Sequence, residues 1–383
     1  MADGHIDKSD LIRGAAGSNR MLTDWQELWW LGLSDAEQRA AIAALPALEL
    51  RHHAVITPAQ PGDIRRSVSV GPAGEVIASW LSPADLAALS PTTMERRPAN
   101  ARLAYMATRP VTLRVARYTP QPTITRITGQ RMEYYAKALP LPQGRTLVIG
   151  AKSNWWKDTP SETAVYDDDG SVLAEGSLGD GWNHVLTTAD GHIWVGYHDE
   201  GIVAGRLDDS RLGGSGLVRF TQDLRPDWQH WDRASEPSTP PIYDCYALNV
   251  DGDTVWTCYY SDFPIARIQA GVCTSWRNDV FGAHALAVGG DRVALCGGYG
   301  PADDRLVVGT LGDRRMHVNN EYRLVLPTGQ PMPSNAQVFG RGPDLHVVTD
   351  TDWYRLGLDD IRSGWRSAKL GAKRSVPGKD GCT

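Results

Sequence analysis

Side chains able to bind or activate a ligand recur at one kind of place in this chain, beside short apolar runs. Asn183 and His184 open one such run, and His198, Asp199 and Glu200 follow the next. Asp244 and Tyr246 open another, with Tyr260 and Asp262 after it, and His284 and Tyr299 bracket a third. Trp155, Trp182, Asn335, Asp350 and Asp352 stand in comparable positions. Carboxylate and amide oxygens are what hard divalent cations take, so Asn183, Glu200, Asp244 and Asn335 form a candidate Ca²⁺ or Mg²⁺ set, and a bound ion there could polarise a carbonyl or activate water. His184, His198 and His284, with Asp199 or Glu200, form the alternative set, suited to Zn²⁺. The reading that needs no metal is a binding surface. On it, Trp155, Trp182, His184, His198, Tyr246, Tyr260, His284 and Tyr299 line a site for a small molecule or peptide.

The triplet His198-Asp199-Glu200 invites general acid-base chemistry, because an imidazole beside two carboxylates has a tuned pKa. On an extended chain, however, neighbours point opposite ways, and at most two of the three would face one ligand. The sequence contains no GxSxG elbow, HExxH pair, phosphate-binding loop or GxGxxG fingerprint. That leaves serine-hydrolase and nucleotide chemistry without a carrier.

What must position these residues is a series of hairpins. The clearest is NHVLTTADGHIWVGYHDEG, Asn183 to Gly201: an apolar strand, an Asp190-Gly191 turn, a second strand Ile193 to Tyr197, and a polar loop. YALNVDGDTVWTCYYSDF from Tyr246 repeats it, with Trp256 where Trp194 stood, and HALAVGGDRVALCGGYG from His284 repeats it again. Weaker copies begin near Ser67, Tyr134 and Val338. Six units, roughly 40 to 50 residues each with the excess in loops, predict a six-bladed β-propeller, with five or seven blades as the alternatives and a β-sandwich as the competing all-β fold. A lone twisted sheet cannot bury both faces, whereas sheets packed radially can. In such a ring the first strand of each blade lines the channel, and the loops carrying the residues above converge on one mouth. Residues 206 to 241, rich in Gly and Pro, read as an insertion around outer strands, and Glu49 to Ile56 as a strand able to close the ring by joining the last sheet.

The segment DGHIWVGYHDEGI, Asp190 to Ile202, resembles the DG-x-IWVG-x-GI blade motif of bacterial regulator-type propellers through Asp190, Gly191, Ile193, Trp194, Val195, Gly196 and Gly201. The resemblance implies the fold over most of the chain and no particular activity, since the fold hosts lactonases, lyases, sensors and docking platforms alike.

Residues 1–48 read as a helical extension. Thr23 with Gln26, and Ser34 with Glu37, are capping pairs, the second helix stopping at Pro46, and Trp25, Trp29 and Trp30 are available to pack on the ring or plug one end of it. Ser82, Pro83 and Asp85 predict a short third helix. Residues 49–360 would form the propeller, and 361–383 a basic tail ending near Cys382. The five cysteines form no CxxC pair, which fits reduced, mostly buried thiols. The 14 Trp against 4 Phe point to a core in which Trp does much of the packing. With 39 Lys+Arg against 45 Asp+Glu, no membrane-length apolar run and no apolar stretch in the first thirty residues, the expectation is a cytoplasmic globular protein. One region opposes the net charge: Arg96, Arg97, Arg102, Arg109, Arg114, Arg117, Arg126 and Arg131 have no Asp or Glu among them. This strip is a candidate docking site for an acidic protein partner, with nucleic acid the less favoured target, or simply an arginine-decorated edge strand.

Overall fold

Each hairpin legible in the sequence becomes the inner half of a four-stranded antiparallel sheet. The structure is a computed structural model describing residues 32–89, 109–119, 121–129, 137–150, 163–207, 212–230 and 240–361. It opens with helix α1 (Asp35–Ala43) and strands β1 (Ala47–Glu49) and β2 (Arg51–Val55). The first blade holds β3 (Ile64–Val70), β4 (Val76–Leu81), β5 (Val111–Thr119) and β6 (Gln121–Gly129), with helix α2 (Pro83–Leu89) between β4 and β5. The second holds β7 (Lys137–Pro140), β8 (Thr146–Ile149), β9 (Thr163–Tyr166) and β10 (Val172–Gly176). The third holds β11 (Trp182–Thr187), β12 (Ile193–Tyr197), β13 (Leu217–Phe220) and β14 (Pro226–Gln229), with α3 (Asp199–Leu207) inserted after β12. The fourth runs β15 (Asp244–Asp251), β16 (Thr254–Tyr260), β17 (Ile265–Gln269) and β18 (Val272–Trp276). The fifth runs β19 (Ala283–Gly289), β20 (Arg292–Gly297), β21 (Arg305–Leu311) and β22 (Met316–Val325). The sixth has β23 (Gln337–Arg341), β24 (Asp344–Val348) and β25 (Asp352–Gly357) from the end of the ring, and β2 from its beginning.

First strands contact their neighbours all the way round, β3 to β7, β7 to β11, β11 to β15, β15 to β19, β19 to β23 and β23 to β3, so the six blades form a closed propeller. The closing strand foreseen at Glu49 to Ile56 is β2, antiparallel to β25 with Ala54 opposite Trp353. Just before it, β1 runs parallel to β22 on the outer edge of the fifth blade, so one short segment ties two sheets together. Between blades the packing is apolar, and the tryptophans repeat a pattern. Trp194 lies under Arg219 and beside Trp228 at 5.2 Å, and Trp256 under Arg267 and beside Trp276 at 5.7 Å. A large ring on the second strand is thus covered by a cation from the third and an indole from the fourth.

One end of the channel is drawn tight. Asn249, fully buried on β15, donates through Nδ2 to the carbonyls of Leu286 and Gly342, and its Oδ1 accepts from the Gly342 N–H at 2.7 Å. Arg341 donates to the Val70 carbonyl and joins the sixth blade to the first at the same hairpin ends.

The caps form as expected. Ser34 and Glu37 make a reciprocal capping box on α1, whose Ile42 packs on Ala302 of the fifth blade. Ser82 Oγ accepts from the Asp85 N–H and donates to Asp85 Oδ2 at the start of α2. Ser82→Ala is expected to lower stability by about 1 kcal/mol, read as a shift in the urea midpoint at unchanged slope. Trp25, Trp29 and Trp30 lie outside the described residues, as do the first predicted helix and the basic tail beyond Ile361. Among the described residues no helix is long and apolar enough to cross a membrane.

Candidate functional site

A repeated irregularity places the candidate side chains. In four blades the ladder between first and second strands skips one residue of the first: Arg66 on β3, Asn183 on β11, Tyr246 on β15 and His284 on β19. A bulge of this kind leaves the extra residue unpaired and re-aims its side chain, which regular alternation would fix to one face. Three of the four, Asn183, Tyr246 and His284, are residues singled out from the sequence.

Around Tyr246 the fourth and fifth blades build an aromatic rim. Tyr246 meets Phe263 at 5.1 Å and Tyr299 at 5.8 Å, and the two tyrosine hydroxyls are 2.9 Å apart. Phe263 also packs on Tyr260 at 5.7 Å and Phe281 at 5.2 Å. Beside the rim stands Asp244, half-buried, whose Oδ1 is enclosed and has no hydrogen-bond partner among the described residues. Burial, and then the charge of Asp199, pushes the Asp244 carboxyl up to about 6, while His198 pulls the other way. Burial raises the Tyr246 and Tyr299 hydroxyls as well. The predicted residues His198, Tyr246, Tyr260 and Tyr299 therefore share one mouth with Asp199 and Asp244. Phe263 and Phe281 were not foreseen. The signal for Phe281 was an aromatic two residues before a channel strand, whereas Phe263 sits in the turn between β16 and β17, at φ 50°.

Deeper, towards the axis, His184 Nε2 lies 2.8 Å from the Tyr246 carbonyl oxygen. Burial lowers this imidazole to about 4, and the charges of Lys137 and His284 add to the effect. His284 is likewise lowered by burial and packs over Gly297, where a Cβ would sit 2.1 Å from His284 Nδ1. Trp182 donates its indole N–H to the Gly150 carbonyl at 3.2 Å. The Lys137 ammonium lies 5.9 Å from the Trp182 ring and 5.8 Å from that of Phe339, which belongs to the sixth blade.

Other candidates are held elsewhere. Asn335 donates to Asp350 in the sixth blade at 2.9 Å, and Asn183 Nδ2 donates to the Cys245 carbonyl at 3.2 Å. Glu200 is exposed. His198 neighbours Asp199 at the rim, whereas His184 and His284 influence each other in the channel. Asp199 and Glu200 occupy the first turn of α3 and not an extended loop, so the strand alternation expected of the triplet does not apply. Trp155 lies outside the described residues. Among the described residues, the one group of three acidic, His or Cys side chains close enough to share an ion is Asp167, Asp168 and Asp169, at a turn of the second blade. Burial pushes the thiols of Cys245, Cys258 and Cys296 up to about 12, far from a nucleophile's range.

Three of the eight arginines of the strip have partners within the protein. Arg109 pairs with Asp85 at 2.7 Å, Arg114 with Asp63 at 3.3 Å, and Arg117 donates to the Gly144 carbonyl at 2.8 Å. Arg126 is exposed, and Arg96, Arg97, Arg102 and Arg131 lie outside the described residues.

Fold and site together define a six-bladed β-propeller with an aromatic mouth, a half-buried carboxylate at its edge and a lysine within. The profile of the YxzG family matches residues 220–308, from the third blade into the fifth. No curated protein matches the sequence. Among solved structures, the chain is similar to a catalytically inactive virginiamycin B lyase from Staphylococcus aureus with quinupristin, at 11% identity over 79% of this chain and 98% of that one, TM-score 0.39. It is similar also to Hsv2 from Kluyvelomyces marxianus, at 9% identity over 77% of each chain, TM-score 0.43. BamB from Moraxella catarrhalis matches at 9% identity over 80% of this chain and 89% of that one, TM-score 0.39.

Proposed function

We propose that this propeller is a binding protein whose channel mouth, between the third, fourth and fifth blades, takes a small molecule or peptide presenting a cation on an apolar body. The observation that carries this reading is the enclosed, unpartnered Oδ1 of Asp244 next to a rim of four accessible or half-buried rings. A carboxylate stripped of water and set beside a second one, Asp199, is raised in energy, and a ligand ammonium relieves both burdens. The ring faces add cation-π attraction and apolar contact area. No step of covalent chemistry is required of these residues.

Phenethylamine tests the class, with 2-phenylethanol as its uncharged counterpart. The amine is expected to raise the melting temperature and 2-phenylethanol, the same body without a charge, to leave it unchanged. Binding should weaken as pH falls through about 6, where Asp244 takes up its proton. Asp244→Asn is expected to cut amine affinity by more than tenfold while stabilising the free protein by about 1 kcal/mol, the exposure-discounted cost of holding that charge. Equal response to amine and alcohol, or amine binding untouched by Asp244→Asn, would sink the proposal.

A further inference from the structure

We propose that the channel contains a second site, centred on Lys137 and separate from the rim, that binds a monocarboxylate with an apolar body. Lys137 is the first residue of β7, half-buried, and among the described residues its ammonium is faced by two rings, Trp182 from the third blade and Phe339 from the sixth. Among the described residues no carboxylate or carbonyl oxygen pairs with it. Other enclosed cations of the ring are treated differently. Arg114 has Asp63, Arg305 has Glu321 at 3.1 Å, and Arg341 has the Val70 carbonyl. Arg267 too is faced by rings, those of Trp256 and Trp276 on second and fourth strands, whereas Lys137 stands on a first strand between rings of two other first strands, and a cation there without a counter-charge among the described residues is the arrangement expected where a ligand supplies it.

The surroundings narrow the ligand. The titratable or charged groups on the first strands flanking Lys137 are Arg65 and Arg66 on β3 and His184 on β11, none of them acidic; the carboxylates Asp244 and Asp251 belong to β15, two blades on, and Asp303 acts on His284 of β19. His184 is committed to the Tyr246 carbonyl, whereas His284 makes no hydrogen bond to any described residue and is available to donate to an anion. Both imidazoles are lowered by burial and neutral at pH 7, so among the described residues Lys137 is the cation set against the Trp182 and Phe339 rings. A single negative charge matches it, while a dianion would leave excess charge in a slot walled by Trp182 and Phe339. Those walls favour an apolar remainder on the ligand. Burial lowers the Lys137 amine to about 8, and a bound carboxylate would restore it.

The probe is benzoate, with acetate as the smaller anion, titrated calorimetrically into the whole chain. Saturable benzoate binding is expected at pH 7, weakening about tenfold between pH 7 and pH 9 as the amine loses its proton. Lys137→Met should reduce benzoate affinity more than tenfold and should fold, since it removes an unpaired charge and keeps the apolar stem. Lys137→Arg should retain most of the binding and lose its pH dependence, and it serves if the Met variant does not fold. Asp244→Asn, which abolishes the rim site, should leave benzoate unaffected, so the two sites fail separately. Neither anion binding to the wild-type chain, benzoate binding equally to Lys137→Met, or an affinity flat between pH 7 and pH 9 would each overturn the proposal.

Discussion

Removing residues 1–57 is expected to leave a chain that does not fold cooperatively, although it keeps three strands of the sixth blade and all of the others. A chain lacking only residues 1–31 is the reference, so that the difference belongs to α1, β1 and β2. The lost segment makes two sheet contacts at once: β1 against β22, with Leu50 N–H donating to the Val325 carbonyl at 2.9 Å, and β2 against β25, with Ile56 N–H donating to the Thr351 carbonyl at 2.7 Å. Leu50 and Ile56 are both fully enclosed, and His53 covers Trp353 at 4.1 Å. Without β2, β25 becomes an open, aromatic edge strand and the ring loses the bond between its two ends. Burial of the two large side chains alone accounts for about 3 to 6 kcal/mol, a large share of an ordinary domain's net stability of about 5 to 15 kcal/mol. Size-exclusion chromatography should show aggregation, and circular dichroism a broad or absent thermal transition. A truncated chain melting within a few degrees of the reference would show that the ring is held by its blade contacts alone. Ile56→Ala is the milder version, expected to cost about 2 to 4 kcal/mol.

That closing strand was legible because a ring must cover its last edge, and the short run between Pro46 and Pro58 stood ready to do it. So were the six hairpins, since turns such as Asp190-Gly191 need a residue that tolerates positive φ, and Gly191 adopts 96°. Helix α3 was hidden for a physical reason. DEGIVAGRL carries two glycines that weaken helix propensity, and they are there for contact: a Cβ on Gly205 would lie 2.3 Å from the Gly214 nitrogen, and one on Gly201 2.5 Å from the Asp180 oxygen. The bulges were hidden too, because a one-residue slip leaves no mark on an apolar run, yet they aim Asn183, Tyr246 and His284. At the site, the ring geometry sufficed to gather Tyr246, Tyr260 and Tyr299. It could not reveal that Asn335 is spent on Asp350, or that Asp85 and Asp63, distant in sequence, pair with Arg109 and Arg114. Lys137 went unremarked because a lysine heading an apolar strand ordinarily extends its ammonium into water.

Mild acid should unfold this protein well above the pH at which its carboxylates titrate, with His346 as the principal cause. His346 is 1% exposed, stacks on Trp353 at 5.7 Å, and accepts that residue's indole N–H at Nδ1 over 3.1 Å. Its one proton therefore sits on Nε2, which is buried without a partner among the described residues. Burial, then the positive charges of Arg355 and Arg341 and the neighbouring His53, lowers this imidazole to about 3. His184 is lowered to about 4 by burial. A histidine depressed in the folded state and ordinary, near 6.5, in the unfolded chain favours unfolding once pH drops below the unfolded value. Its stabilising contribution is complete above about pH 7 and is lost progressively down to the folded pKa. At pH 5 each such site has given up about 2 kcal/mol, and together they consume much of a typical domain's stability. Asp244 opposes the trend, because a carboxyl raised to about 6 takes up its proton in the folded state first, and being half-exposed it returns only about 1 kcal/mol. His346→Gln keeps an acceptor for the Trp353 indole and removes the titration. Tryptophan fluorescence should place its acid midpoint about half to one pH unit below that of the wild type, even where its stability at pH 7 is slightly lower. An unchanged midpoint would move the acid sensitivity from His346 to the carboxylate pairs, chiefly Asp85 with Arg109 and Asp352 with His52, whose lowered pKa values protect the fold only until the pH falls through the carboxylate range.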